Sequence, residues 1–203
     1  GSTTKEDQQF ILSLMKDLKK AGFTRFVEPC GGEFAMSYLA KRAGFEHIET
    51  SDVTLFSTVL GYYCAGKTEE DYRALNVMVD GSIHLVNPLE ILYTQMVLMN
   101  EKRAGIEYFD NILRDMKERK EYHIEKIKKK LDLAKAELSG ITYKPMDIFE
   151  QIEEIKDDEK AFAIMNLPTY KGGYERSFDT KNRITWNEPK YEIFDPVKGR
   201  QEL

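Results

Sequence analysis

The chain is poor in cysteine, histidine and tryptophan: its 203 residues include two cysteines, three histidines and one tryptophan. Cys30 and Cys64 could close at most one bridge, which excludes a disulfide scaffold and suits a reducing compartment. His47, His84 and His123 are scattered, and no Cys/His group has zinc-ligand spacing, so no metal site is expected. No apolar run approaches the ~20 residues of a membrane span, and no signal-peptide pattern is seen. The expectation is a cytoplasmic protein with no membrane partner. Internal repeats and low-complexity tracts are also absent. Gly1-Ser2 reads as a tag remnant. The net charge of -5 argues against a general basic coat for nucleic acid and leaves room for a local basic face.

What is present suits one domain with a sizeable insertion, since 41% of the residues are hydrophobic. Phe10, Ile11, Leu14, Met15 and Leu18 have helical spacing and predict a helix over 5–20, closed by Ala21-Gly22. Thr24 to Glu28 reads as a buried strand that runs into Pro29-Cys30-Gly31-Gly32. A helix through Met36, Leu39 and Ala40 follows, then a strand over His47–Ser51 with Asp52 at its end. Strand, glycine turn, helix, strand and acid form the first half of a nucleotide-binding sheet. From Leu55 to Leu138 no strand is expected. Helices are predicted over 57–65, from Thr68, and from Pro88, with a break at Gly105. Phe109, Leu113, Met116, Lys120, His123, Ile127, Leu131, Ala134 and Leu138 alternate steps of three and four, a coiled-coil-like seam. Strand order returns at Ile141–Met146, followed by Asp147, a helix over 148–155 and a buried strand over 161–165. Beyond Lys171 only Ile184–Trp186 and Tyr191–Phe194 look strand-like.

Four places can carry chemistry. A side-chain-free turn at Gly31-Gly32 lets a ligand approach the backbone, and the next helix offers N–H groups. Glu28 would either touch that ligand or order the turn. Asp52 is placed to accept from ribose hydroxyls, or to cap the next helix. Asp147 has the same pair of readings, toward a purine amine or as a cap. In Met165-Asn166-Leu167-Pro168-Thr169-Tyr170 a side-chain amide, a backbone carbonyl and a ring follow a strand. Such a group can accept both hydrogens of an exocyclic amine while the ring stacks on its base.

The Asn166-Leu167-Pro168 segment resembles the Asp/Asn-Pro-Pro-aromatic motif of amino-methyltransferases that use S-adenosylmethionine. The layout as a whole resembles the Dam-type DNA adenine-N6 methyltransferases, the phage antirestriction enzymes in particular. Glu28-Pro29-Cys30-Gly31-Gly32 matches that family's glycine turn, Asp52 its acid after the second strand, and Met146-Asp147-Ile148-Phe149 its acidic-aromatic segment. The resemblance covers roughly 8–54 and 141–180. It implies an α/β fold with a Rossmann-like class I methyltransferase sheet, incomplete at its carboxyl end. On that reading 3–54 and 141–203 form the catalytic domain, and 55–140 is a helical insertion containing a long helix.

The resemblance further implies S-adenosylmethionine held by Glu28, Pro29, Cys30, Gly31, Gly32, Asp52, Asp147 and Ile148. Asn166, Leu167, Pro168 and Tyr170 would hold a flipped adenine of DNA. The insertion would read sequence, contact the DNA backbone or pair two copies as a homodimer through the long helix. Its cations, among them Lys126, Lys128, Lys129 and Lys130, would track phosphates or form a solvated face. Methylation of RNA, and a non-catalytic methyltransferase-like module, are the alternatives.

Overall fold

The computed structural model describes residues 4–165, 167, 180 and 182–195. A capping box at its first turn, Thr4 with Asp7, opens helix α1 (Lys5–Lys20). Strand β1 (Arg25–Glu28), helix α2 (Ala35–Ala43), strand β2 (His47–Asp52) and helix α3 (Leu55–Ala65) follow as the hydrophobic spacing predicts. Gly44 and Gly66 close α2 and α3 in the left-handed region. Helix α4 (Glu69–Ala74) is started by Thr68.

Next comes a departure from the expected all-helical segment. Val77–Val79 (β3) and Ile83–Leu85 (β4) pair antiparallel as a hairpin. Asp80 and Gly81 both take positive φ, 49° and 67°, the conformation that twists two strands back on each other.

Helix α5 (Pro88–Glu101) starts on Asn87, with Pro88 in the first turn. The break expected at Gly105 is there, at φ 93°. The long helix beyond it is two helices, α6 (Glu107–Glu118) and α7 (Lys120–Glu137), parted at Arg119 with φ -120° and ψ 41°. Strand β5 (Thr142–Pro145), helix α8 (Ile148–Ile155), strand β6 (Ala161–Ala163) and strand β7 (Ile184–Thr185) complete the order. Tyr191–Phe194, strand-like in sequence, is not a strand.

Two sheets result. β5-β2-β1-β6 is a four-stranded sheet whose pairs are all parallel. β4-β3-β7 is antiparallel, so residues after β6 return to pair with the hairpin of the insertion. The parallel sheet runs outward from β1 through β2 to β5 on one side and to β6 on the other. That order is compatible with a Rossmann-like sheet, and the reversal lies between β1 and β6. α3 packs on β2 and β5, and α7 packs on α3 and α5. Met116, Ile127, Leu131, Ala134 and Leu138 of the coiled-coil-like seam are buried in the same core as Phe26 and Ile48. The seam is thus occupied within the chain.

One close approach fixes how α3 lies on the sheet. A Cβ at Gly61 would stand 2.2 Å from a ring carbon of Tyr143 in β5. Helix propensity alone favours Gly→Ala by about 1 kcal/mol, but overpacking here outweighs it. Gly61→Ala is expected to lower stability by roughly 1–3 kcal/mol. Urea unfolding tests this: in a Tyr143→Leu background, which itself loses the hydroxyl's hydrogen bonds, the same Gly61→Ala change should cost little. A variant more stable than the parent would mean that the ring does not lie against the helix.

Candidate functional site

The glycine turn is built around an acid that cannot reach solvent. Glu28 is 2% exposed at the end of β1. Its carboxylate oxygens accept from Met36 N at 3.0 Å and Ser37 N at 2.7 Å, and Ser37 Oγ donates to the same group. Phe34, the residue ahead of α2, has φ 63° and gives no side-chain cap. Glu28 supplies the cap from eight residues upstream, satisfying N–H groups that would otherwise be orphaned. Of the two roles open to Glu28 in the sequence, the geometry shows the ordering one. It also corrects the expectation of free N–H groups there, since those of Met36 and Ser37 are taken.

Pro29 is buried, and Cys30 follows in the left-handed region with φ 57°. Gly31 donates to Ser51 O at 2.8 Å. A Cβ on it would lie 2.3 Å from Thr50 Oγ1, so only glycine fits against β2. Gly32 differs: at φ 55°, its missing side chain would meet nothing within 4 Å. The turn therefore closes on the protein at Gly31 and opens outward at Gly32.

Asp52 joins this turn to the next one. Oδ2 accepts from Gly32 N at 3.0 Å and Oδ1 from Thr54 N at 2.8 Å. Thr54, not Asp52, caps α3. Tyr143 donates its hydroxyl to Asp52 O at 3.0 Å and stands 3.1 Å from Thr58 Oγ1. Asp147 caps α8, accepting from Phe149 N at 2.8 Å, and Ile148 behind it is buried. Burial, then the charges of Glu150 and Glu192, raises the Asp147 carboxyl above the usual range against the Phe149 bond. Burial first, and then Asp52 and Asp147, push the Cys30 thiol up to about 12. A thiol shifted that way stays protonated near neutral pH.

The carboxyl ends of β1, β2 and β5 thus gather Cys30, Gly31, Gly32, Asp52 and Asp147 around one place. β6 lies beside β1, and Ile164 N extends the pairing to Val27 O at 3.1 Å. Leu167 is half-buried. Asn166, Pro168, Thr169 and Tyr170 lie outside the described residues. Among the described residues no group of His, Cys, Asp and Glu could hold a metal, and no helix is long and apolar enough to cross a membrane.

Four participants escaped the sequence reading. Ser51 and Gln151 are both buried and hydrogen-bonded to each other, joining β2 to α8. Tyr143 was visible only as an apolar position of β5. Phe194 stacks on Phe149, with ring centres 6.4 Å apart and an interplanar angle of 26°, so the tail crosses the first turn of α8. No local pattern announces such a crossing.

Burial dominates the Glu28 carboxyl and pushes it up to about 7, against the lowering by Ser37 and Met36. From the ordinary value of 4.5 up to about 7 the folded chain holds more protons than the unfolded one. This contribution is therefore full below that window and lost as pH rises through it. Relative to Glu28→Gln, which cannot titrate, the parent should lose roughly 3 kcal/mol across the window. Urea unfolding at pH 5, 6, 7 and 8 measures the difference. A gap that is flat or grows the other way would show that burial does not control this acid.

A family model described as phage DNA adenine methylase-like domain 1 matches residues 1–203. The curated proteins and the solved structures gave no match. With the gathered turns at the carboxyl edge of a parallel sheet, the match over the full sequence places this chain in the phage DNA adenine methylase-like domain 1 family.

Proposed function

We propose that the chain transfers a methyl group from S-adenosylmethionine to the N6 amine of adenine in DNA. Membership of a methylase-like family makes methyl transfer the reaction class. The observation that supports the cofactor half of this reading is the Gly32–Asp52 hydrogen bond, which sets an open glycine turn and a carboxylate side by side. The residues present fit such a cofactor. Each Asp52 oxygen uses one lone pair on backbone N–H and keeps another for a ribose hydroxyl. Gly32 leaves open space where a side chain would stand. Asp147, half-buried at the head of α8, offers a carboxylate to a purine, with Ile148 packed behind it.

When bound, the cofactor supplies a methyl group on an electrophilic sulfonium. The chain's work is placement. In this reading the Asn166 amide oxygen and the Leu167 carbonyl accept the two hydrogens of the target amine, which directs its lone pair outward. Pro168 removes a competing N–H donor, and Tyr170 stacks on the base. Leaving the duplex costs the base a few kcal/mol of stacking and pairing, which the stacked ring partly offsets. Catalysis then rests on orientation and on fixed dipoles.

Incubation with methyl-labelled S-adenosylmethionine and DNA or RNA of one sequence tests the reading, with nucleoside analysis of the product. Label is expected in DNA as N6-methyladenine, with Asn166→Ala lowering the rate about 100-fold or more. Label in RNA alone removes the DNA claim; neither label nor cofactor binding leaves a non-catalytic module. Gly32→Ala should keep the fold, at roughly 1 kcal/mol for a side chain at positive φ, while weakening cofactor binding in calorimetry. Unchanged binding would move the cofactor away from this turn.

A further inference from the structure

Among the cations of α6, α7 and the Arg119 break, Arg114 donates to Asn111 and Lys135 lies over the Tyr63 ring, and the others fall into two groups. Lys117, Arg119, Lys120 and Lys128 each have a carboxylate partner, respectively Glu101, Asp115, Glu90 and Asp132. Lys126, Lys129 and Lys130 have none among the described residues, although all three are exposed. They share one face with Tyr122 and Leu133, at steps of four, three, one and three. Buried Ile127, Leu131 and Ala134 occupy the other side of the helix.

The face has a built aromatic element. Tyr122 is 43% exposed, with the Arg119 guanidinium 4.1 Å from its ring centre and the Lys126 ammonium 5.2 Å from it. Across an open groove of about 410 Å³ between α2 and α7 stands Arg42, which shares the groove with Lys130 and is also without a carboxylate partner among the described residues.

This arrangement differs from an ordinary solvated face. Lys126 and Lys130 are four residues apart, and like charges at that spacing destabilise a helix. α7 carries six lysines against four acids in a chain whose net charge is -5. Glu125, one turn before Lys129, and Glu137, which lines the groove, border the stripe, and among the described residues neither forms an ion pair with its lysines. Charge is concentrated here against the sign of the whole molecule.

Orientation ties the face to the site. Tyr63, near the end of α3, donates to Asp132 at 2.5 Å. α3 starts at the strands' carboxyl edge, beside Asp52. The later half of α7 therefore lies toward the amino edge, where its last turn leads into β5. Its first half, with Tyr122 and Lys126, lies toward the gathered turns. From Tyr122 to Lys130 the stripe is about 12 Å long, enough for roughly three phosphate steps of one DNA strand.

We propose that the Tyr122–Lys126–Lys129–Lys130 face of α7, with Arg42 across the groove, is the surface on which the phosphate backbone of duplex DNA lies. The proposal rests on the DNA reading above and adds where the duplex runs. Each lysine neutralises one phosphate and releases condensed counterions, independent of base sequence.

The test is the salt dependence of binding to a fluorescent duplex of 20 or so base pairs, followed by anisotropy. The parent is compared with Lys126→Gln/Lys129→Gln/Lys130→Gln and with a control, Lys5→Gln/Lys16→Gln/Lys20→Gln, of equal net charge. Losing three phosphate contacts should flatten the slope of log K against log salt by roughly 2–3 and weaken binding about tenfold or more at 0.1 M salt. The control should flatten it by less than about 1. Cofactor binding by calorimetry shows that each variant is folded. A stripe variant with the parent's slope overturns the proposal while the DNA reading stands. Equal flattening in both variants also overturns it, because net charge alone then explains the effect. A parent that binds no duplex overturns both.

Discussion

The carboxyl group of Glu28 is the constraint on which the rest of the site hangs. It ends β1 with no access to solvent and holds the first turn of α2 by two backbone N–H groups and a serine hydroxyl. Burying an acid is unfavourable unless donors surround it, and the positive end of a helix dipole helps. Because the acid sits eight and nine residues before the N–H groups it caps, the chain between must fold back tightly. Cys30, Gly32 and Phe34 accordingly take positive φ. The glycine turn owes its shape to this cap, and any ligand gains from a backbone already fixed.

β2 carries the constraint sideways through three successive residues. Thr50 Oγ1 donates to Glu28 O at 3.0 Å, and its hydroxyl fills the space that a side chain at Gly31 would need. Ser51 gives its carbonyl to Gly31 and its side chain to Gln151. Asp52 reaches forward to Thr54 and back to Gly32. Alternating side chains on a strand face opposite ways, so neighbouring residues brace different turns at once. Beneath them Phe23, Phe26, Phe45 and Phe162 pack ring against ring, at 5.2–6.3 Å between centres for the contacting pairs. Those rings seat β6 on β1. A site built this way on rigid elements is held more closely than one on free loops.

The order of strands and helices around the parallel sheet was legible because each element carries its own pattern. Glu28, Asp52 and Asp147 could be placed at strand ends, but not assigned partners: capping and ligand contact ask for the same residue type at the same place. The structure has Glu28 cap α2, Asp147 cap α8, and Asp52 brace two turns rather than cap α3, and the last two keep acceptor capacity for a ligand. The hairpin β3–β4 was hidden differently. Asp80-Gly81 between Val77-Met78-Val79 and Ile83-His84-Leu85 is a strong turn signal, but three-residue strands carry too few positions to compete with the helical spacing on both sides. The break at Arg119 has no glycine or proline to mark it. Phe194 on Phe149 joins residues far apart in sequence, which no window of local spacing can register.

The helical segment between the two halves of the sheet shows how one pattern can serve two ends. A seam stepping three and four residues is read in isolation as a surface for another helix. Here α7 packs on α3 and α5 of the same chain, and the seam's apolar members Ile127, Leu131, Ala134 and Leu138 belong to the common core. Its polar members are satisfied too: Lys120 pairs with Glu90 and lies over Tyr93, and His123 hydrogen-bonds Asp115 at 2.7 Å across the Arg119 break. The outward side of α7 is left free of packing duties, so its composition answers to solvent and partners rather than to the core. A helix anchored this firmly on one side can carry adjacent like charges on the other, because burial of the seam outweighs their repulsion of a few tenths of a kcal/mol.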